Sequence, residues 1–527
     1  MENEKLPIKF FAPREVDELR IEGNKNSEKP KWVLRGKELK QRADSLRLSL
    51  DSLETKFSMR KSSPVPFSFI VKLQSDATAK SKREDITNLF EQKSFGGVVG
   101  LTDTNKLIVA LDSLEELKEV ANRINDYEIN DYAISCIEDF EEFVPYIVKG
   151  KKECNYKIKL VDYQNYEQNL AMRRRLEHTL NKEGIDYTKT DYSEEYYIYK
   201  LRNITEKSLD VLKKADIFNA LFSIEPMPKY KVSLDCLKSD NNIPIKKPDD
   251  EKMYITIGIL DNGIANIPHL SPWMEMDRWS PYPKTSINPT HGTFVSGIAL
   301  YGDECEGKIW VDHKGLKIFD AAVFPDVTKE GLDEDELIAN IKDVIRLYHE
   351  KVKIWNLSIS ITREVIDTKF SDFAIALDSI QDEYNVLICK SAGNCENFTV
   401  SRPKGRIHEG ADSVRSLVVR SVAHKKGKYD YAEVNDPSPF SRVGPGPEYI
   451  IKPEVSHYGG NAGIDPKGRV VTSGVKSFSK EGELAQGVGT SFSTPRITAL
   501  AAGLQQELNE DFDPLLLKAL IIHSASY

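Results

Sequence analysis

No run of about 18 apolar residues, the length a membrane-spanning helix needs, occurs in this chain of 527 residues. Its opening, Met1-Glu2-Asn3-Glu4-Lys5, lacks the apolar core of a secretory signal. The chain is therefore expected to be soluble and cytoplasmic. Cysteine is scarce: Cys136, Cys154, Cys236, Cys305, Cys389 and Cys395 are scattered and form no Cys-x-x-Cys pair. In a chain of this size that excludes a disulfide framework and points to free thiols. On the same reading, triplets such as Asn356-Leu357-Ser358 carry no glycan. An excess of positive charge is also missing. The net charge is −9, against the basic footprint of a nucleic-acid binder. No Gly-x-Ser-x-Gly elbow of the esterase kind occurs.

What is present is ordinary globular material, 40% hydrophobic and 29% charged, enough for two to four domains at roughly 150 residues each. Residues 1–63 read as an irregular start followed by an amphipathic helix, with apolar positions at 39, 43, 46, 50, 53 and 57 in steps of three and four. The bland role of that stripe is packing. Over 64–150 the elements run strand, helix, strand, strand, helix, strand: Phe67 to Leu73, a helix with Ile86, Leu89 and Phe90, a hairpin around 102–106, a helix through Leu114 to Ile124, and a strand from Tyr132 to Ile137. This is the split βαβ, ferredoxin-like order. The order repeats over 151–236 without repeating the residues. The polar stretch 237–252, with two prolines, reads as a linker.

From 253 to 527 the strands become apolar runs. Ile255 to Leu260, Leu316 to Val323, Val352 to Ser358 and Val386 to Cys389 alternate with helices over 334–349, 371–384 and 493–507. Such alternation predicts a parallel sheet covered on both faces, with the site at the carboxyl ends of its strands. Asp261 follows the first strand in Asp261-Asn262-Gly263, where a shielded carboxylate could fix a histidine tautomer; the same residues also make an ordinary turn. His291, in Thr290-His291-Gly292-Thr293, stands near a helix start with glycine behind it. Ser491, in Gly489-Thr490-Ser491-Phe492-Ser493-Thr494-Pro495, opens a helix whose positive end favours a developing oxyanion. Ser493 is the candidate N-cap there. Asn394, in Ala392-Gly393-Asn394, offers a side-chain amide after a buried strand. Gly302 to Lys308 has phosphate-loop spacing but Ile309 where a Ser or Thr is required, so no nucleotide site is assigned.

Together these segments resemble the subtilisin-like serine proteases, whose signatures are Asp-x-Gly, His-Gly-Thr and Gly-Thr-Ser-x-x-x-Pro in that order. His291 follows Asp261 by 30 positions, and Ser491 follows His291 by 200. The family usually has Ser or Thr where Asn262 stands. The resemblance covers 253–527 and implies an α/β fold: a subtilisin-like parallel-sheet catalytic domain preceded here by an α+β region of two ferredoxin-like modules. It implies a serine endopeptidase with Ser491 as nucleophile, His291 as general base, Asp261 as orienting acid and Asn394 as oxyanion donor. Ser358, Ile359 and Ser360 would present a strand edge to an extended polypeptide substrate, with Gly393 beside the first specificity pocket. No cofactor is required. Many relatives bind structural calcium, although no Asp-rich ligand loop is present. The N-terminal modules would gate the protease, with 225–250 reaching its cleft. A wider likeness to intracellular bacterial forms implies a partner ATPase of the AAA type and a role in phage defence; no nucleic-acid or membrane partner is implied. Relatives usually continue past the point where this sequence stops. The rival reading is a catalytically idle protein of the same fold that binds or scaffolds.

Overall fold

The computed structural model describes residues 32–59, 63–77, 83–92, 97–103, 105–150, 154–202, 204–231, 237–238, 243–326, 331–361, 363–395, 398, 405–508 and 511–525. The irregular start expected over the first residues lies outside these. The chain divides into two compact units. One comprises 1–145, 161–176 and 214–220, and the other 146–160, 177–213 and 221–527.

In the first unit, α1 (Gly36–Met59) buries Leu39, Ala43, Leu46, Leu50 and Leu53, so the apolar stripe is a packing face. It shares a core with β1 (Phe67–Leu73), α2 (Arg83–Phe90), β2 (Gly97–Asp103), β3 (Lys106–Leu111) and α3 (Leu114–Asn125). The expected strand from Tyr132 to Ile137 is instead a helix, α4 (Asp131–Cys136), and the strand is β4 (Ile137–Glu142). The reason is the burial pattern. Ala133, Ile134, Ser135 and Cys136 are buried in succession, as a short inward helix allows, whereas Ile137 and Phe140 are buried beside exposed Glu138 and Glu141 in a strand whose pairing with β1 shifts register between Ile137 and Asp139. The sheet order is β2-β3-β1-β4.

The second unit begins with β5 (Tyr146–Ile147) and β6 (Tyr156–Leu160). After α5 (Tyr166–Lys182), which the two units share, come β7 (Tyr187–Ser193), β8 (Tyr196–Leu201), α6 (Glu206–Lys214) and β9 (Leu221–Pro226). Their sheet runs β5-β9-β6-β8-β7. Thus the second run has the same inner order as the first, fourth-first-third-second. Two short strands follow, β10 (Lys229–Lys231) and β11 (Leu237–Lys238).

The large sheet contains β12 (Thr256–Asp261), β13 (Lys317–Ala322), β15 (Ile354–Leu357), β17 (Leu387–Ser391), β18 (Leu417–Val422) and β19 (Val455–Tyr458), in the order β13-β12-β15-β17-β18-β19. Every pairing is parallel. One face packs on α7 (Thr290–Glu306) and α10 (Thr490–Leu508), in a core with Phe294, Ile298, Phe492 and Ile497. The other packs on α8 (Glu334–Tyr348) and α9 (Asp372–Tyr384), with Ile341, Val344, Phe373 and Ile380. Two minor strands, β14 (Leu332–Asp333) and β16 (Ser360–Ile361), flank β10 antiparallel. Hairpins over β20 (Asn461–Ile464), β21 (Val470–Ser473), β22 (Val475–Phe478) and β23 (Leu484–Gly487), then α11 (Pro514–Ser524), complete the unit. Among the described residues no disulfide forms, and Cys136, Cys154, Cys305, Cys389 and Cys395 are free thiols. No helix among them is long and apolar enough to cross a membrane.

Candidate active site

Parallel strands end on the same side of the sheet, so the loops after β12 and β17 and the first turns of α7 and α10 converge there. Asp261 is the last residue of β12 and is fully buried. The Nδ1 of His291 lies 2.9 Å from Asp261 Oδ1 and 2.8 Å from Oδ2, so its N–H is held by both carboxylate oxygens. Oδ1 also accepts from the Asn262 amide at 2.8 Å. Asn262 contributes in turn, its Oδ1 accepting the Gly292 N–H at 3.0 Å. This clamp ties the loop after β12 to the first turn of α7. It explains why a residue longer than Ser or Thr is accommodated at 262. Gly292 has no room for a side chain: a Cβ there would stand 2.3 Å from the Gly263 carbonyl oxygen.

Asp320, on the neighbouring strand, was not singled out from sequence. Its Oδ2 accepts from the Ile264 amide at 3.0 Å and Arg278 Nε at 2.6 Å, fixing the loop that carries Asp261. Burial pushes its carboxyl up to about 6, with Arg278 opposing.

Helix α10 begins at Thr490, earlier than expected, and this corrects the capping assignment. Ser493 lies inside the helix, its hydroxyl donating back to the Thr490 carbonyl at 3.0 Å. The donor at the helix start is satisfied from a distance, because Asn394 Oδ1 accepts from Thr490 N at 2.9 Å and from Thr490 Oγ1 at 3.0 Å. With its oxygen so engaged, the Asn394 amide nitrogen is turned toward Gly489, 3.1 Å from where a Cβ would stand. Asn394 is therefore locked to the same turn that carries Ser491. Gly393 has φ +101°, and a Cβ on it would lie 2.4 Å from His408 Nδ1, so only glycine fits. Both the conformation and the space demand it.

The Ser491 hydroxyl donates to the Ser358 carbonyl at 2.8 Å, and Ser358 Oγ donates to the Ser491 carbonyl at 2.9 Å. Among the described residues no hydrogen bond joins His291 to Ser491; the His291 ring stands 5.8 Å from that of Phe492. Of the expected substrate edge, Ser358 and Ile359 are buried, and Ser360 pairs through its backbone with Lys231 of β10. This edge is thus occupied by a strand of the same chain. Lys390, also missed from sequence, lies beneath it. This buried ammonium donates to the carbonyls of Ile359 and Ser391, and burial pushes it down to about 7. No group of His, Cys, Asp and Glu suited to a metal occurs among the described residues.

Neither ring nitrogen of His408 has a hydrogen-bond partner among the described residues. Burial, with Arg442 and Lys390 nearby, pushes it down to about 3. A histidine whose pKa is depressed on folding contributes stability that is full above its unfolded value of about 6.5 and is lost as the pH falls toward 3, at about 1.4 kcal/mol per pH unit. His424 and His457 are also pushed down to about 3 by burial. Glu409 and Asp320, pushed up by burial to about 7 and about 6, act in the opposite sense, so the expected result is a difference: between pH 6.5 and 4 the melting temperature falls less steeply, by one proton, in His408→Phe than in the parent. An unchanged slope in that variant would show that His408 does not titrate on unfolding.

The Subtilase family model matches residues 253–527. A curated relative, the uncharacterized protein y4bN of Sinorhizobium fredii, is 30% identical over 209 residues, which are 33% of this chain and 48% of that protein. The chain thus spans about half the length of the relative it matches. Among solved structures, fervidolysin from Fervidobacterium pennivorans, a keratinolytic enzyme related to subtilisin, is 15% identical with a TM-score of 0.46, covering 73% of this chain and 60% of its own. The epidermin leader peptide processing serine protease of Staphylococcus aureus is 13% identical with a TM-score of 0.43, covering 70% of this chain and 92% of its own.

Proposed function

This chain belongs to the subtilase family of serine proteases, and from that premise we infer that it is a serine endopeptidase acting through Asp261, His291 and Ser491 and held in check by its own N-terminal region. The observation that carries the catalytic reading is the buried Asp261 gripping His291 Nδ1 with both oxygens, which leaves Nε2 as the imidazole's proton acceptor. In the reaction the Ser491 hydroxyl leaves the Ser358 carbonyl and turns to His291. His291 takes its proton while Oγ forms a bond to the peptide carbonyl carbon. The carbonyl oxygen gains the negative charge and is met by the Asn394 amide and the Ser491 N–H at the positive end of α10. His291 then protonates the departing amine as the C–N bond breaks. Water, deprotonated by the same imidazole, releases the acyl group and restores Ser491. Asp261 stays ionised throughout, stabilising the imidazolium. Removing one oxyanion donor costs roughly 10²–10³ in turnover, so Asn394→Ala is expected to lower kcat by that factor with KM little changed, measured on a quenched peptide.

The regulatory reading rests on β10. An extended segment lies antiparallel on β16, with Tyr230 opposite Ile361 and Lys231 opposite Ser360, as a polypeptide substrate would. β-Strand addition of this kind excludes a second strand from the same edge.

One observation favours the idle-scaffold reading, the pairing of Ser491 Oγ with Ser358 and not with His291. A fluorophosphonate separates the two. The full chain should form an adduct located by peptide mass spectrometry at Ser491, and His291→Ala should not. No Ser491 adduct, even after deletion of residues 1–245, would leave the scaffold reading standing.

A further inference from the structure

Two carbonyls beside the oxyanion donor are held by one residue, Arg442. Its backbone N–H donates to the Gly393 carbonyl at 3.2 Å, and its side-chain Nε donates to the Asn394 carbonyl at 2.8 Å. The Cys395 N–H donates to the Phe440 carbonyl at 2.7 Å, and Asn394 pairs with Ser441 in an antiparallel bridge. The turn 393–395 is thus laced to 440–442. Of these bonds only the one from Nε is made by a side chain, and it is charge-assisted, the stronger kind.

The guanidinium is itself fixed in direction. Its side chain is only 11% exposed, so solvent does little to hold it. Nη1 donates to the Arg406 carbonyl at 2.9 Å and to Glu364 Oε1. A Cβ on Gly405 would stand 2.5 Å from Nη1, so the neighbouring backbone closes on the group. Because the guanidinium is planar and rigid, anchoring Nη1 also sets where Nε points.

We propose that Arg442 is a positioning residue for the oxyanion site, holding the Asn394 main chain so that its side-chain amide stands where the tetrahedral oxyanion forms. The inference rests on the protease reading given above, in which Asn394 is the donor. The Asn394 Oδ1 is tied to Thr490, which sets how the amide is turned. The bond from Arg442 Nε sets where the residue's main chain lies. These two constraints come from separate segments and meet at Asn394. Their consequence falls on the transition state, because the oxyanion exists only there. A displaced amide therefore weakens turnover and leaves ground-state binding alone. A misplacement of about 1 Å at such a group costs up to about 100-fold.

The test compares the parent with Arg442→Ala, Asn394→Ala and the two combined, all as full chains. The measurements are kcat and KM on a quenched peptide and the rate at which fluorophosphonate labels Ser491. Arg442→Ala is expected to lower kcat, and the labelling rate with it, by about 10–100-fold, with KM within about twofold of the parent. In the Asn394→Ala background the same change should cost less than about threefold, because the amide it positions is gone. A purely structural role would lower the melting temperature and act equally in both backgrounds. Equal losses with and without Asn394 therefore overturn the proposal, as does an Arg442→Ala chain that turns over like the parent. Where the covered groove admits no peptide, the labelling rate carries the same comparison. If the parent neither labels at Ser491 nor cleaves, the protease reading itself fails and the positioning role falls with it. Should Arg442→Ala not fold, Arg442→Lys, which keeps the charge but not the planar group, is compared in the same two backgrounds and decides by the same criterion.

Discussion

Ser491→Ala is expected to reduce peptide hydrolysis by roughly 10⁶-fold and to abolish fluorophosphonate labelling while leaving the melting temperature within a few degrees of the parent. The size of the effect follows from the division of labour at the site. Without Oγ there is no atom to carry the acyl group, and His291 loses the proton it would take. What remains is the Asn394 amide, still locked to Thr490 through its oxygen, and whatever binding the groove supplies. Those are worth a residual rate above that of water but no more. The structural loss is small by comparison. One hydrogen bond, from Ser491 Oγ to the Ser358 carbonyl, disappears, and the reverse bond from Ser358 Oγ to the Ser491 carbonyl remains. Asp261→Asn should cost less, roughly 10⁴-fold, because an amide in place of the carboxylate permits the wrong histidine tautomer but leaves the nucleophile in place. Hydrolysis in Ser491→Ala that stays within tenfold of the parent would remove Ser491 from the mechanism.

The second large effect is expected from Lys157→Met. The Lys157 ammonium is buried on β6, 2.5 Å from Asp372 Oδ2 and 3.1 Å from Glu334 Oε1. Burial alone would lower its pKa, yet Asp372 and Glu334 hold it well above the usual lysine range. Burial likewise opposes ionisation of Asp372, and Lys157 and Lys159 hold that carboxyl below the usual range. Methionine preserves the volume but leaves Asp372 with Lys159 at 3.3 Å as its remaining ammonium, and Glu334 with the hydroxyls of Tyr192 and Tyr230. Breaking a buried ion pair in this one-sided way costs about 3–5 kcal/mol. Two readouts should move together. The denaturation midpoint drops, and labelling of Ser491 accelerates because β10 follows the same sheet and is gripped at Tyr230 by the same Glu334. A loss below about 1 kcal/mol, in the range of exposed pairs, would mean that the charges are solvated when the groove is closed. A large loss with unchanged labelling would detach the ion pairs from control of the groove.

The extent to which the sequence disclosed this site follows from how local each feature is. The Asp261, His291 and Ser491 segments could be read because strand ends, helix starts and close-approach glycines leave their marks within a few residues. Gly292 against the Gly263 carbonyl and Gly393 against His408 are such marks. The parallel sheet was legible for the same reason, its strands being apolar runs separated by amphipathic helices. What sequence concealed depends on distant partners. Glu334 looks like an ordinary acid in a helix's first turn, and its meaning comes from Lys157 and Tyr230, 177 and 104 positions away. Lys390 reads as a charge at the end of a strand, and only folding puts the Ile359 carbonyl over it, 31 positions away. Ser493 illustrates the opposite error, a local capping rule overridden by a tertiary acceptor, Asn394. The ATPase partner is implied by the wider likeness alone and the cytoplasmic location by the missing apolar runs, and no described residue speaks to either.

On the proposed reading β10 fills the groove of its own chain, so its hold there is set by tethering as much as by contacts. A segment joined to its site by a short link acts at an effective concentration of the order of millimolar. A free polypeptide at micromolar levels would then be at a disadvantage of about a thousandfold before any difference in side chains is counted. Competition on those terms favours substrates that are abundant, multivalent or delivered to the spot, and it would make the protease nearly silent toward the dilute peptides of its surroundings.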